Sequence, residues 1–158
     1  MGLDINAYKV LRKVENPKFD SDGELENWES QWLPGASMKW SESVWPGKGK
    51  PIDPDTVYEY EDCFEFRAGS YSGYNCWRED LEKFKGDVAF QELIDFADNE
   101  GVIGSELSTK LRDDFKKYHD EAMEFSQRED VCMYFFENYC NWEKAFAMAA
   151  ENGAVEFR

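Results

Sequence analysis

The residue types best suited to binding chemistry lie together in the segment Phe66–Arg78, which runs Phe-Arg-Ala-Gly-Ser-Tyr-Ser-Gly-Tyr-Asn-Cys-Trp-Arg. Polar and apolar residues alternate before it and helical spacing follows it, so the pattern predicts a strand, a Gly/Ser turn and a helix start. Free backbone N–H groups and the helix dipole favour an anion at such a turn. An arginine near each end of the segment can pair with phosphate or carboxylate.

We therefore predict that this turn binds a phosphate-bearing small molecule, such as a nucleotide or cyclic nucleotide. The arginines would neutralise the phosphate, the glycines would let it approach the backbone, the serines would donate hydroxyl groups and the tyrosines would stack on a base. The predicted ligand-binding residues are Arg67, Gly69, Ser70, Tyr71, Ser72, Gly73, Tyr74, Asn75 and Arg78. The alternative is a purely structural strand-to-helix turn in which Ser72 caps the helix.

Patterns typical of catalysis or metal binding are absent from the sequence. The turn matches neither the P-loop nor the GxGxxG fingerprint, and the chain has no GxSxG elbow or cysteine-nucleophile signature. The single histidine, His119, lies mid-helix without a partner nucleophile. The run Asp95–Gly101 departs from the EF-hand pattern and is better explained as a helix end. We predict no catalytic residue, metal or cofactor, and keep a small nucleotide hydrolase as a third hypothesis.

The chain is strongly acidic, with 18 Lys and Arg against 34 Asp and Glu and a net charge of −16. Residues 51–158 hold 11 of the basic and 26 of the acidic residues, which leaves that part at −15. This charge disfavours direct contact with nucleic acid or anionic lipid and favours a basic partner. The second hypothesis is therefore an acidic inhibitor that mimics DNA and binds a basic host defence or DNA-binding protein. Its acidic residues would be Asp113, Asp114, Asp120, Glu121 and Glu124.

The elements that must position these residues follow from hydrophobic periodicity. Alternation predicts strands over 3–11 and 57–67, and the end of the chain, 154–157, is predicted as a last short strand. Helical spacing predicts four helices, over about 73–85, from Phe90 to near Gly101, and over about 105–126 and 128–151. Because strands come first and helices later, the sequence predicts an α+β fold in which about four helices cover a small antiparallel sheet.

Residues 14–56 break the regular pattern, because they hold four tryptophans and all five prolines. We predict a long irregular segment that packs on the body of the protein or on a ligand. The chain as a whole, 1–158, is predicted to form one domain of ordinary size, with a homo-oligomer left open. It has neither a signal peptide nor a membrane-spanning apolar run, so we expect a cytoplasmic protein without membrane contacts.

Three stretches together resemble one protein family. They are the opening Met-Gly-Leu-Asp-Ile-Asn-Ala-Tyr, the segment Phe66–Arg78, and Gly101-Val-Ile-Gly with Lys110-Leu111. The family is a group of small proteins from phages, prophages and bacteria that begin with MGLDIxAY, and the resemblance covers most of the chain. It implies a phage protein in the host cytosol with an anti-defence role. Such a protein acts either by binding a host protein or by sequestering a nucleotide signal, which is an analogy from context.

Overall fold

The computed structural model describes residues 1–158 and has a mixed α+β architecture, which confirms the predicted fold class. The strands are β1 (Gly2–Lys9), β2 (Arg12–Lys13), β3 (Gln31–Trp32), β4 (Tyr58–Glu59), β5 (Asp62–Ser70), β6 (Gly101–Gly104) and β7 (Ala154–Phe157). The helices are α1 (Gly35–Val44), α2 (Tyr71–Lys85), α3 (Gln91–Ile94), α4 (Ser105–Lys117), α5 (His119–Phe125) and α6 (Phe135–Ala149). None of the helices combines the length and the apolar character needed to cross a membrane.

The main sheet has four antiparallel strands in the order β5-β1-β7-β6. Strand β1 is therefore paired on both edges, by β5 and by β7. Its side chains alternate between the two faces of the sheet, as they must in any strand. Leu3, Ile5 and Ala7 belong to one hydrophobic cluster, whereas Tyr8 belongs to a second cluster. The two faces of the sheet thus have different coverings.

Helices α2, α4 and α6 cover one face and form an aromatic core with it. Trp142 of α6 lies at the centre of this core and is 0% exposed. Its indole ring stacks on Trp77 at 5.9 Å between centroids and meets Phe66 edge-on at 5.2 Å. Rings in such geometries stabilise a core by more than their buried area alone provides. The predicted packing of helices on this sheet is therefore confirmed for β5, whereas Tyr58–Glu59 of the strand predicted over 57–67 forms β4 of a separate sheet.

The opposite face, which we call the outer face, carries Asn6, Tyr8, Glu65 and Glu156 on neighbouring strands. The tryptophan-rich part of the chain covers much of this face. It contributes helix α1 and strand β3, which is one edge of the small sheet β2-β4-β3. It also buries Trp32 and Met38 against Tyr8 and Val102. The prediction that 14–56 is irregular is therefore only partly right, because α1 and β3 lie within that range.

Several predicted boundaries differ from the structure. The helix predicted over 105–126 is divided at Tyr118 into α4 and α5, and the last helix begins at 135 instead of 128. Gly101 does not cap a helix, because it begins β6 and has a φ of 142°. All four residues of β6 are buried, so this strand lacks the alternation by which a strand is predicted from sequence.

Replacing Trp142 with alanine should lower the free energy of unfolding by about 3–5 kcal/mol, because the surrounding rings cannot fill the cavity. The matched control is Trp28→Ala, since Trp28 is 69% exposed and should change stability by only about 0.5 kcal/mol. Urea denaturation followed by circular dichroism measures both variants. Equal losses in the two variants would contradict the central role of Trp142 in the core.

Candidate functional site

The predicted Gly/Ser turn joins β5 to α2. Ser70 is the N-cap residue, and its hydroxyl oxygen accepts a hydrogen bond from the Gly73 N–H at 3.0 Å. The cap is therefore Ser70 and not Ser72, whose hydroxyl lies 3.3 Å from the Ser70 hydroxyl. Gly69 has a φ of 131°, a backbone conformation that a residue with a side chain rarely adopts. These features give the turn a structural role, and Ser70 already occupies one of the N–H groups available to an anion.

The first arginine of the predicted site, Arg67, is engaged by the protein itself. Its guanidinium donates to both carboxylate oxygens of Asp4, each at 3.1 Å. Asp4 lies opposite Arg67 in the pairing of β1 with β5, so the ion pair joins two neighbouring strands. A phosphate at this position would have to compete with a carboxylate that the sheet holds in place.

The second arginine, Arg78, holds α2 against the segment that follows α3. Its side chain is only 15% exposed and donates to the carbonyl oxygens of Ile94, at 2.9 Å, and Phe96, at 2.6 Å. The guanidinium also donates to the side-chain oxygen of Asn75 and lies over the ring of Tyr74, 4.8 Å from its centroid. The guanidinium of Arg78 is therefore occupied by hydrogen bonds to backbone carbonyls of its own chain.

The other residues of the predicted site also serve the fold. Tyr74 is fully buried in the aromatic core, and its ring stacks at 6.0 Å on Trp77. Asn75 donates to Asp98 at 3.0 Å. Tyr71 is half-buried, and Ser72 and Gly73 are exposed. The structure thus brings these residues together at one junction but leaves no free arginine there for an anionic ligand.

A different site lies on the outer face of the main sheet. There, a cleft of about 390 Å³ opens between the sheet and residues 23–33 of the tryptophan-rich segment. We call it the outer cleft. Its floor is a row of three side chains on adjacent strands, because Asn6 of β1 pairs with Glu65 of β5 on one side and with Glu156 of β7 on the other. This row brings together residues that are up to 150 positions apart in the sequence.

Glu156 is the most constrained group in the outer cleft. One carboxylate oxygen accepts from the indole N–H of Trp32 at 2.6 Å, and the other accepts from the hydroxyl of Tyr8 at 3.2 Å. Tyr8 in turn accepts from the amide nitrogen of Asn6 at 3.3 Å. Burial raises the pKa of Glu156, although the two hydrogen bonds and the charge of Arg158 partly oppose the rise.

Aromatic rings form one wall of the outer cleft. Tyr8 stacks on Trp32 with 4.6 Å between ring centroids and contacts Tyr60 at 4.8 Å. Trp28 lies at the rim and leaves most of its ring exposed. The Tyr60 hydroxyl donates to the backbone carbonyl of Glu29 at 3.1 Å, which connects this wall to the acidic residues 20–29. A cleft that holds an exposed tryptophan together with packed aromatic rings is suited to contact with a planar or cationic group.

Two buried oxygen atoms beside the outer cleft lack a hydrogen-bond partner. They are the side-chain carbonyl oxygens of Asn6 and Gln31, two residues that line the cleft. Asn6 is only 5% exposed. A buried polar atom without a partner costs about 1–3 kcal/mol. Both atoms are acceptors, so a ligand that donates hydrogen bonds would recover this energy after a small rotation of the amides.

The negative charge of the outer cleft is largely unpaired. Glu24, Glu29, Glu65 and Glu156 line it, against a single cationic side chain, Arg158. None of these carboxylates forms a salt bridge, and the same is true of the other acidic residues in 20–29. Three of the five acidic residues proposed for DNA mimicry differ in this respect, whereas Asp120 and Glu124 form no salt bridge. Asp113, Asp114 and Glu121 pair with Arg112, Lys110 and Lys85, at 3.0, 2.5 and 2.8 Å.

The outer cleft is absent from the sequence-based predictions, although part of its signal is visible in the sequence. The alternation of β1 places Asn6 and Tyr8 on one face, and an asparagine there is an unusual choice if the face is buried. Glu156 has no such signal, because its role depends on pairing between the two ends of the chain.

Comparison with known proteins adds no assignment, since no family model, curated protein or solved structure matches the chain. The resemblance to small phage and bacterial proteins therefore stays a prediction. No group of three or more His, Cys, Asp or Glu side chains is arranged to hold a metal ion.

The two arginines of the predicted turn should differ in their effect on stability. Arg78→Ala leaves two backbone carbonyls without their charged donor and should lower the free energy of unfolding by about 1.5–3 kcal/mol. Arg67→Ala removes an exposed ion pair and should cost about 0–1 kcal/mol. Thermal and urea denaturation measure both. Unchanged stability in Arg78→Ala, together with lost binding of a nucleotide, would restore the turn as a ligand site.

The thiol of Cys63, which lines the outer cleft, should react slowly with iodoacetamide. Burial raises its pKa to about 11, so only about one thiol in a thousand is ionised at pH 8. Its alkylation rate should rise about tenfold per pH unit towards pH 11. The exposed thiols of Cys76 and Cys132 are the internal controls, read by peptide mass spectrometry. Modification of Cys63 as fast as Cys132 at pH 8 would disprove its protected position.

Proposed function

We propose that the protein is a binding protein for a basic partner protein and that it recognises this partner at the outer cleft. The observation that carries the proposal is the cleft itself, in which unpaired carboxylates lie beside exposed and stacked aromatic rings. A cleft lined by charges of one sign concentrates the field and raises the local concentration of the opposite charge. Aromatic faces add attraction for cations.

A protein or peptide suits this surface better than a small cation does, because the negative charge continues beyond the cleft. Residues 20–29 carry five acidic side chains without a basic one, and two of the five, Glu24 and Glu29, line the cleft. Asp113, Asp114 and Glu121 of α4 and α5 are paired with Arg or Lys, whereas none of the five carboxylates in residues 20–29 is paired. This difference favours the cleft and residues 20–29 over α4 and α5 as the contact surface. The proposal therefore retains the basic partner of the second hypothesis but places the contact at the outer cleft instead of at the acidic residues of α4 and α5.

The family resemblance supplies the biological context of the proposal. A phage protein in the host cytosol would use such a surface against a basic host defence protein or DNA-binding protein. Capture of a nucleotide at the turn is the competing hypothesis, and the internal partners of Arg67 and Arg78 weigh against it. No observation favours a nucleotide hydrolase.

Calorimetry with defined probes tests the proposal. We expect a peptide of mixed Arg and Lys to bind, and to bind much more weakly at about 0.5 M salt, because exposed charges are screened there. An acidic peptide of equal length, ATP and a cyclic dinucleotide should not bind. Binding of a nucleotide in the absence of peptide binding would reverse the order of the two hypotheses.

Charge reversal distinguishes a specific site from general acidity. Glu24→Lys with Glu29→Lys should weaken binding of the basic peptide by about tenfold or more, because both residues line the outer cleft. The matched control is Asp113→Lys with Asp130→Lys, which changes the net charge equally at two carboxylates already paired with arginines. Equal weakening in both double variants would show that net charge alone drives binding.

A further inference from the structure

The buried polar atoms of the outer cleft that lack a partner are both acceptors, and its carboxylates can accept further hydrogen bonds. Each oxygen of the Glu156 carboxylate accepts one hydrogen bond from the protein and can accept another. The carbonyl oxygens of Asn6 and Gln31 accept none. The carboxylate of Glu65 is exposed and forms no salt bridge within the chain. The complementary ligand is therefore a group that carries several N–H donors and a positive charge.

The arrangement of these acceptors favours a flat donor over a point charge. Glu65, Asn6 and Glu156 lie on three adjacent strands, so the row spans roughly 10 Å at the usual strand spacing. A guanidinium presents five N–H donors in a rigid planar fork that matches carboxylates in pairs. A lysine ammonium presents three donors around one nitrogen and is more strongly hydrated, so its transfer into the cleft costs more.

The aromatic wall favours the same group. Guanidinium planes stack on aromatic rings, and the exposed ring of Trp28 lines the same cleft as the stacked pair of Tyr8 and Trp32. Carboxylates and aromatic rings in one cleft are suited to a planar cation. We infer that the outer cleft takes the guanidinium of an arginine side chain from the basic partner, an inference that rests on the function proposed above.

Arg158 is the cleft's own cation and would compete with an incoming arginine. It lines the cleft, and its charge opposes part of the rise that burial causes in the pKa of Glu156 and of Cys63. Arg158 forms no salt bridge. Its charge therefore reduces the negative potential of the cleft, but the carboxylates stay available to pair with another cation. Arg158→Gln should therefore tighten binding of a cationic probe by about threefold or more, because a like charge is removed.

Two pairs of probes test the inference on the intact protein. The first pair is octa-arginine and octa-lysine, measured by calorimetry. The second is N-acetyl-arginine methylamide and N-acetyl-lysine methylamide, measured by chemical-shift perturbation. We expect the arginine member of each pair to bind about tenfold more tightly, with shifts concentrated in β1, β5, β7 and residues 23–33. Equal affinity within both pairs would overturn the inference and leave the proposed function standing, whereas no binding by either peptide would overturn both.

Variants that keep the fold locate the binding group. Gln31→Met removes an unpartnered oxygen while keeping the shape of the side chain, and Trp28→Ala removes an exposed ring. Each should reduce the preference for arginine over lysine by about threefold or more. Trp40→Ala is the matched control, since Trp40 is also exposed and does not line the cleft. An unchanged preference in both cleft variants would overturn the inference.

Alkylation provides an independent readout of the same site. The arginine methylamide should slow the modification of Cys63 by iodoacetamide, while the lysine methylamide at equal concentration should have little effect. Cys132, which is exposed and does not line the cleft, should react at the same rate with either probe. Equal protection of Cys63 and Cys132, or protection by both probes, would contradict a guanidinium in the outer cleft.

Discussion

Strand β1 is paired on both edges, and this single constraint places most of the molecule. A buried strand must satisfy its backbone N–H and C=O groups, and β1 does so with β5 on one side and β7 on the other. The pairing brings the start of the chain, its middle and its end into one sheet. The two faces of β1 are covered by different layers, so that Ile5 packs in the aromatic core while Asn6 and Tyr8 face the outer cleft.

The outer cleft and the attachment of the tryptophan-rich segment depend on the same carboxylate. Glu156 accepts from Trp32 of that segment and from Tyr8 of the sheet, so the groups that hold the layers together also line the cleft. Withdrawing a carboxylate from water is unfavourable unless it is hydrogen-bonded, and its raised pKa expresses that cost. A cation entering the cleft would stabilise the ionised form. Both the attachment of the tryptophan-rich segment and the proposed recognition therefore depend on stabilising the buried carboxylate of Glu156.

The periodic parts of the chain were predictable because their signal is local. The spacing of Tyr74, Trp77 and Leu81 predicts α2, and all three are buried in the core. The strand-to-helix turn is also predictable, although the cap is Ser70 instead of Ser72. The local pattern could not predict the hydrogen-bond partners of Arg67 and Arg78. Arg67 pairs with a residue 63 positions away, and Arg78 donates to carbonyls that only the folded chain brings within reach.

By itself, the sequence determined the α+β class, the apolar faces of the longer helices and the strongly acidic charge, because composition and periodicity act within a few residues. Only the tertiary structure decided which charged groups are neutralised and which stay available. Ion pairing and desolvation depend on distances between strands, and β7 lies about 150 residues from β1 along the chain. The arginines with the stronger sequence signal proved to be engaged within the fold, while Asn6, Glu65 and Glu156, which the sequence-based prediction did not include, form the floor of the cleft.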